Sequence, residues 1–121
     1  MLNCLAVGLG GFFGSILRYL TGLIPLNSAS NFPIKTLIIN ILGAFILSLV
    51  SALAAKYGSL SPRMILFLKV GLCGGFTTFS TFAYEASNLL KCSSGLGILY
   101  ICLSLCLGIL AIYFAEFLIN P

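Results

Sequence analysis

Four long apolar runs organise this chain. The first extends from about Leu2 to Ile24 and carries one charge, Arg18; the second, Thr36 to Ala55, carries none. The third runs from about Pro62 to Leu90 and is uncharged between Val70 and Tyr84, and the fourth, Leu96 to Ala115, is again uncharged. Crossing about 30 Å of hydrocarbon takes roughly 20 helical residues at ~1.5 Å each, so each run predicts one membrane-spanning helix. The connectors PLNSASNFPIK, YGSLS and KCSSG are rich in turn residues, Pro25 and Pro33 flank the first, and Pro62 suits the first turn of the third helix. An open sheet cannot satisfy its backbone in lipid, so the expected fold class is all-α, a single four-helix transmembrane domain over residues 1–121 with spans at about 2–24, 36–55, 62–90 and 96–115. The N-terminal run does not read as a cleavable signal, because Arg18 follows the apolar stretch instead of preceding it.

Composition agrees. Of 121 residues, 60% are hydrophobic and 7% charged, where soluble domains have about a quarter charged. Mean hydropathy is +1.20. Six basic residues scattered through apolar sequence make no phosphate-tracking stripe, which excludes nucleic-acid binding as the main role. The absence of histidine removes histidine catalysis and His-ligand zinc sites. With four spans, Lys56 and Arg63 (and Lys69, further into the third helix) share one side, against Lys35 and Lys91 on the other. That is almost no positive-inside bias, compatible with insertion in both orientations and antiparallel pairing, or with one weakly set orientation. Four helices leave no room for a solvated pore, so transport would require an oligomer.

The polar residues inside the runs carry the candidate chemistry. The centre of the third run reads Gly71-Leu72-Cys73-Gly74-Gly75-Phe76-Thr77-Thr78-Phe79-Ser80-Thr81-Phe82, two adjacent glycines and four hydroxyls among phenylalanines. This is poor helix, and a break there would free carbonyls of the kind that hold cations in discontinuous membrane helices. Small residues also let helices pack closely, which explains one glycine pair more easily than the whole run. Asn40 stands among aliphatic residues with a donor and an acceptor to satisfy, either between helices or along a conduction path. Tyr100 and Ser104 are four apart and share a face. Arg18 reads as a snorkelling anchor, and Glu85 and Glu116 as carboxylates towards helix ends. No acid is expected mid-membrane, which counts against a proton-coupled exchanger. The five cysteines, an odd number without CxxC spacing, read as small buried hydrophobes, and Cys102 with Cys106 as a weak metal pair at most.

Three segments together resemble one family. Gly74 to Phe82, GGFTTFSTF, resembles the signature of the Fluc (CrcB) fluoride channels. Gly10 to Tyr19 matches the family's GGxxGxxxRY pattern in the first helix, and Thr36 to Phe45 its TLxxNxxGxF in the second. Ser15, Lys35 and Ser48 depart from the usual residues, and the fourth span has no comparably sharp motif. The resemblance implies an antiparallel, dual-topology homodimer in a prokaryotic plasma membrane, with a third helix broken mid-membrane and two passive, electrodiffusive fluoride pathways. Exporting fluoride would confer fluoride resistance. It also implies a structural sodium ion at the dimer interface, held by the backbone carbonyls of Gly74 and Thr77. Phe79 and Phe82 would line the pores, with Ser80 and Thr81 as a polar track, Asn40 in the pathway, Tyr100 and Ser104 beside it, and Arg18 near the vestibule.

Such a pathway makes chemical sense. Moving even a carboxylate-sized ion into a low-dielectric medium costs on the order of 20 kcal/mol in the Born limit, so a fluoride pore must replace water with hydrogen-bond donors. Hydroxyls and amides serve without trapping the ion, and electropositive aromatic edges face anions. The other readings are a small proton-coupled exchanger, which would need a titrating mid-membrane carboxylate, and a non-transporting assembly subunit. An enzyme is excluded for want of histidine, paired acids or a nucleophile elbow.

Overall fold

The computed structural model describes residues 1–26, 32–58 and 60–120. Part of the first connector, 27–31, and Ser59 of the second lie outside the described residues. Among the described residues there is no strand, and four helices are long and apolar enough to cross a membrane: Leu2–Leu23, Ile34–Tyr57, Pro62–Cys92 and Ser94–Ile119. The first two are the single helices α1 (Leu2–Leu23) and α2 (Ile34–Tyr57). The third is composite: α3 (Pro62–Ile65), a π-helical stretch Leu66–Cys73, α4 (Gly74–Phe76) and, beyond Thr77 and Thr78, α5 (Phe79–Cys92). The last, α6 (Ser94–Ile119), continues past the expected end at Ala115, because Phe117, Leu118 and Ile119 are apolar again beyond Glu116.

Helix ends follow local chemistry. Ser61 caps α3, its hydroxyl accepting the Met64 N–H at 3.3 Å, with Pro62 at the first helical position. Gly58 ends α2 in the left-handed conformation, φ 58°. Two lysines close other ends. Lys35 Nζ donates to the Gly22 carbonyl at 2.7 Å in the last turn of α1, and Lys56 Nζ donates to the Ile119 carbonyl at the end of α6. Each cation satisfies an orphaned carbonyl at the negative pole of a helix.

The close contact is between α1 and the first half of the third span. Gly10 and Gly14 on α1 meet Gly71 and Gly75 backbone to backbone. A Cβ at Gly71 would lie 2.7 Å from the Val7 carbonyl oxygen, and one at Gly75 2.7 Å from that of Gly11. At Gly10 and Gly14 it would run into the carbonyl oxygens of Phe67 and Leu72. Two small-xxx-small pairs thus face each other, the arrangement that lets membrane helices touch without a hydrophobic drive between them. On the opposite side α2 packs along α6, where Ser48, 3% exposed, donates to the Ile112 carbonyl at 3.2 Å and the rings of Phe45 and Phe114 stack at 6.1 Å. The three unusual residues are thereby accounted for: Ser15 bonds back to the Gly11 carbonyl at 2.8 Å, Lys35 closes α1, and Ser48 joins α2 to α6.

The outer surface is apolar. Phe12, Leu20, Ile109 and Phe114 are among many large exposed side chains, a surface suited to lipid. Of the five free cysteines only Cys73 is buried; Cys4, Cys92, Cys102 and Cys106 are exposed, which corrects the expectation of buried thiols. Where lipid surrounds a helix, a small apolar group gains nothing by turning inward.

The glycine interlock gives a direct prediction. Gly71→Ala should destabilise the fold by about 1–3 kcal/mol through overpacking, whereas Gly8→Ala, with nothing within 4 Å of the added Cβ, should be neutral. Thermal unfolding of the two purified variants in the same detergent checks this, and equal midpoints would contradict it.

Candidate functional site

At Thr77 and Thr78 the third span leaves helical geometry: Thr77 has φ −76° and ψ 160°, and Thr78 φ −149° and ψ 115°. A break inside an apolar span strands backbone groups that water cannot reach, and side chains take them up here. Asn40 on α2 does most of this. Its Oδ1 accepts the Thr78 N–H at 2.9 Å, and its Nδ2 donates to the Thr78 carbonyl at 3.1 Å. The Thr78 hydroxyl accepts the Thr81 N–H at 3.2 Å as the cap of α5, and donates to Thr81 Oγ1 at 2.9 Å. Arg18 Nη1 donates to the Thr77 carbonyl at 3.3 Å, so the arginine turns inward onto the break. Gly43, one turn from Asn40, makes room for the Thr77 side chain: a Cβ there would collide with the Thr77 methyl.

A groove of about 420 Å³ runs beside the break, between α2, α5 and α6. Asn40, Gly43, Thr77, Phe79, Phe82 and Ser104 are among its lining residues, and none of the lining side chains is charged. Ser104 Oγ is buried and has no hydrogen-bond partner among the described residues. Asn40 has one amide N–H left after serving Thr78. Phe79 is 80% exposed, its ring 6.0 Å from that of Phe82, which sits 5.3 Å from Tyr100. Ser80 and Thr81 lie exposed on α5, outside the groove lining.

Tyr100 stands apart from the other sequence-derived candidates. It is fully buried, and its hydroxyl donates to Glu85 Oε2 at 2.9 Å, while Thr36 donates to Glu85 Oε1 at 2.9 Å. The proton expected to face the pathway is therefore engaged by a carboxylate. Glu85 lies towards the end of the third span as expected, but half-buried and held by hydroxyls from α2 and α6. Sequence reasoning missed this trio because its members are 49 and 15 residues apart. The one available signal was a carboxylate seven positions before the end of an apolar helix.

Among the described residues no group of three or more His, Cys, Asp or Glu could hold a metal, so a cation site here would have to be made of carbonyls. The carbonyls of Gly74 and Thr77 flank the break. The Thr78 N–H that would close a helical bond on Gly74 goes to Asn40 instead, and the Thr77 carbonyl meets Arg18. Neutral oxygen donors of this type suit a hard cation, and of the two only the Thr77 carbonyl already accepts from a cationic side chain.

Residues 5–115 match the family described as CrcB-like protein, Camphor Resistance (CrcB). Several relatives carry the name fluoride-specific ion channel FluC. The Chlorobaculum tepidum protein is 43% identical over 114 residues, covering 93% of this chain and 90% of its own length. The Agrobacterium fabrum protein is 42% identical over 115 residues, 93% of this chain and 92% of the relative. The Methanococcus maripaludis protein is 48% identical over 92 residues, 75% and 73% of the two chains.

Asn40→Leu, which keeps the side-chain bulk and removes both bonds to Thr78, should lower stability by about 1–3 kcal/mol, the cost of unsatisfied buried backbone groups. Thermal unfolding in detergent measures it, and an unchanged midpoint would show that the break is held by something else.

Proposed function

The chain belongs to the CrcB family, and from that membership we infer its activity: it is a fluoride-specific ion channel, a multi-pass membrane protein and not an enzyme. The observation that carries the mechanism is the uncharged groove beside the break, walled by an amide, a free buried hydroxyl and two phenylalanine rings. Fluoride is small and strongly hydrated, so a path must exchange its water for donors of similar strength while keeping no cation close enough to trap it. The Ser104 hydroxyl and the second Asn40 N–H are such donors, and the ring edges of Phe79 and Phe82 are electropositive. Ser80 and Thr81 extend the donors along the exposed side of α5. Tyr100 acts from behind, bracing the Phe82 ring, since Glu85 takes its proton. Arg18 adds positive potential at the break, where it also holds the Thr77 carbonyl.

The working unit in this reading is an antiparallel homodimer with dual topology. The exposed Phe79 ring, the open side of the groove and the balanced loop lysines support it. The Gly74 and Thr77 carbonyls of both copies would hold a structural sodium ion, which when bound supplies a fixed positive charge at the centre. The transport is passive and electrodiffusive across the plasma membrane, lowering cytoplasmic fluoride and so conferring resistance to it.

Purified chain in liposomes loaded with potassium fluoride should release fluoride rapidly once valinomycin is added, while chloride-loaded vesicles stay silent. A fluoride electrode reads the release, and none from folded wild-type protein would overturn the channel mechanism. Phe82→Ile and Asn40→Asp should each abolish flux with the dimer intact by cross-linking or light scattering. Normal flux in either variant would remove that side chain from the path.

A further inference from the structure

The pathway groove ends at Phe82, and a second groove begins there. This second space, about 490 Å³, runs between α5 and α6 and is lined by Phe82, Ala83, Ala86, Ser87, Lys91 and Ile101, with Leu90. Phe82 is thus a wall common to both spaces. Small side chains at Ala83, Ala86 and Ser87 leave the channel along α5 open, and Lys91 closes its far end in the last turn of the helix.

The cations of this chain are unequal. Lys35 and Lys56 are committed to helix carbonyls, and Arg18 to the Thr77 carbonyl. Lys91, like Arg63 and Lys69, makes no hydrogen bond or ion pair among the described residues, and of these three it is the one that lines the groove beginning at Phe82. The third groove, about 550 Å³ near the ends of α2 and α6, offers the opposite sign, since Glu116 lines it. That third groove does not reach Phe82, so of the two grooves that share the Phe82 ring only the one ending at Lys91 carries a charged side chain.

We propose that the groove from Phe82 to Lys91 is the outer arm of the fluoride path, and that Lys91 is an anion-collecting site at its mouth. The inference rests on the channel function above. A cation at a low-dielectric cleft raises the local concentration of small anions, and because Lys91 sits at the end of the groove it does so without binding an ion inside the constriction. Ser87, one turn earlier, offers the first hydroxyl as the ion sheds water.

The test is fluoride efflux from liposomes at low and high concentrations of an inert, impermeant salt. At ~10 mM ionic strength, where the screening length is about 30 Å, Lys91→Gln should reduce flux about threefold, and the deficit should vanish near ~1 M, where it is about 3 Å. Lys91→Arg should keep wild-type flux, and Glu116→Gln should leave the salt dependence unchanged. Equal flux in Lys91→Gln and wild type at low salt would overturn the proposal. So would a deficit that persists at high salt, which would mark Lys91 as a structural anchor of α5. Absence of flux in the wild type itself would overturn the channel mechanism, a result distinct from either.

Discussion

A membrane-spanning helix that stops and restarts inside its own span must find partners for the backbone groups it gives up. Lipid supplies none, and each unsatisfied group costs several kcal/mol, roughly. Here one asparagine meets most of that demand by reproducing with its amide the two-way exchange that a neighbouring strand would make with Thr78. The rest follows from it. The Thr78 hydroxyl is free to cap α5, the Thr77 carbonyl is left for Arg18, and α2 must come close enough at Gly43 to deliver the amide. The break and the groove therefore share residues: Asn40 holds the one and lines the other.

The rigid frame for this break is the glycine interlock of α1 with the π-helical stretch and α4. Backbone contacts at Gly71 and Gly75 leave no slack, because a single added methyl would lie within 3 Å of a carbonyl oxygen. The π-helical stretch presents Gly71 and α4 presents Gly75 to α1, and the chain then meets α2 where Thr77 packs at Gly43. The other half of the molecule is held by ordinary means, with α2 along α6 and α5 folded back on α6 around Ala86, Leu89 and Tyr100. One side is thus fixed backbone to backbone and the other by side chains, and the groove lies within the second, between α2, α5 and α6.

Charge placement shows the same economy. Three of the six basic side chains reach backbone carbonyls, two at the ends of long helices and one beside the break. Such cations lower the cost of a helix end in lipid and keep positive charge near the membrane surfaces. Glu85 is the exception, an acid drawn inside and held by two hydroxyls from different helices. It engages the Tyr100 proton beside the Phe82 ring, while Ser104, one turn along α6, has no hydrogen-bond partner among the described residues.

The amino-acid sequence by itself determined that the chain crosses a membrane on four helices. Runs of about 20 apolar residues leave no other way to satisfy a backbone in lipid. It also determined the family, through three motifs on three different helices, and marked the glycine and hydroxyl run as the place where helical propensity fails. The roles of the marked residues lay beyond it. Asn40 reads from sequence as glue or as pathway, and only the approach of α2 to Thr78 showed which backbone groups it holds. Arg18 reads as an anchor, and only the parallel packing of α1 against the third span brought it to the Thr77 carbonyl. The pairing of Tyr100 with Glu85 was hidden, because a hydrogen bond between residues on two helices depends on their rotation about their axes. Uniformly apolar helices such as α2 and α6 carry little amphipathic signal to set that rotation, so tertiary packing decided it.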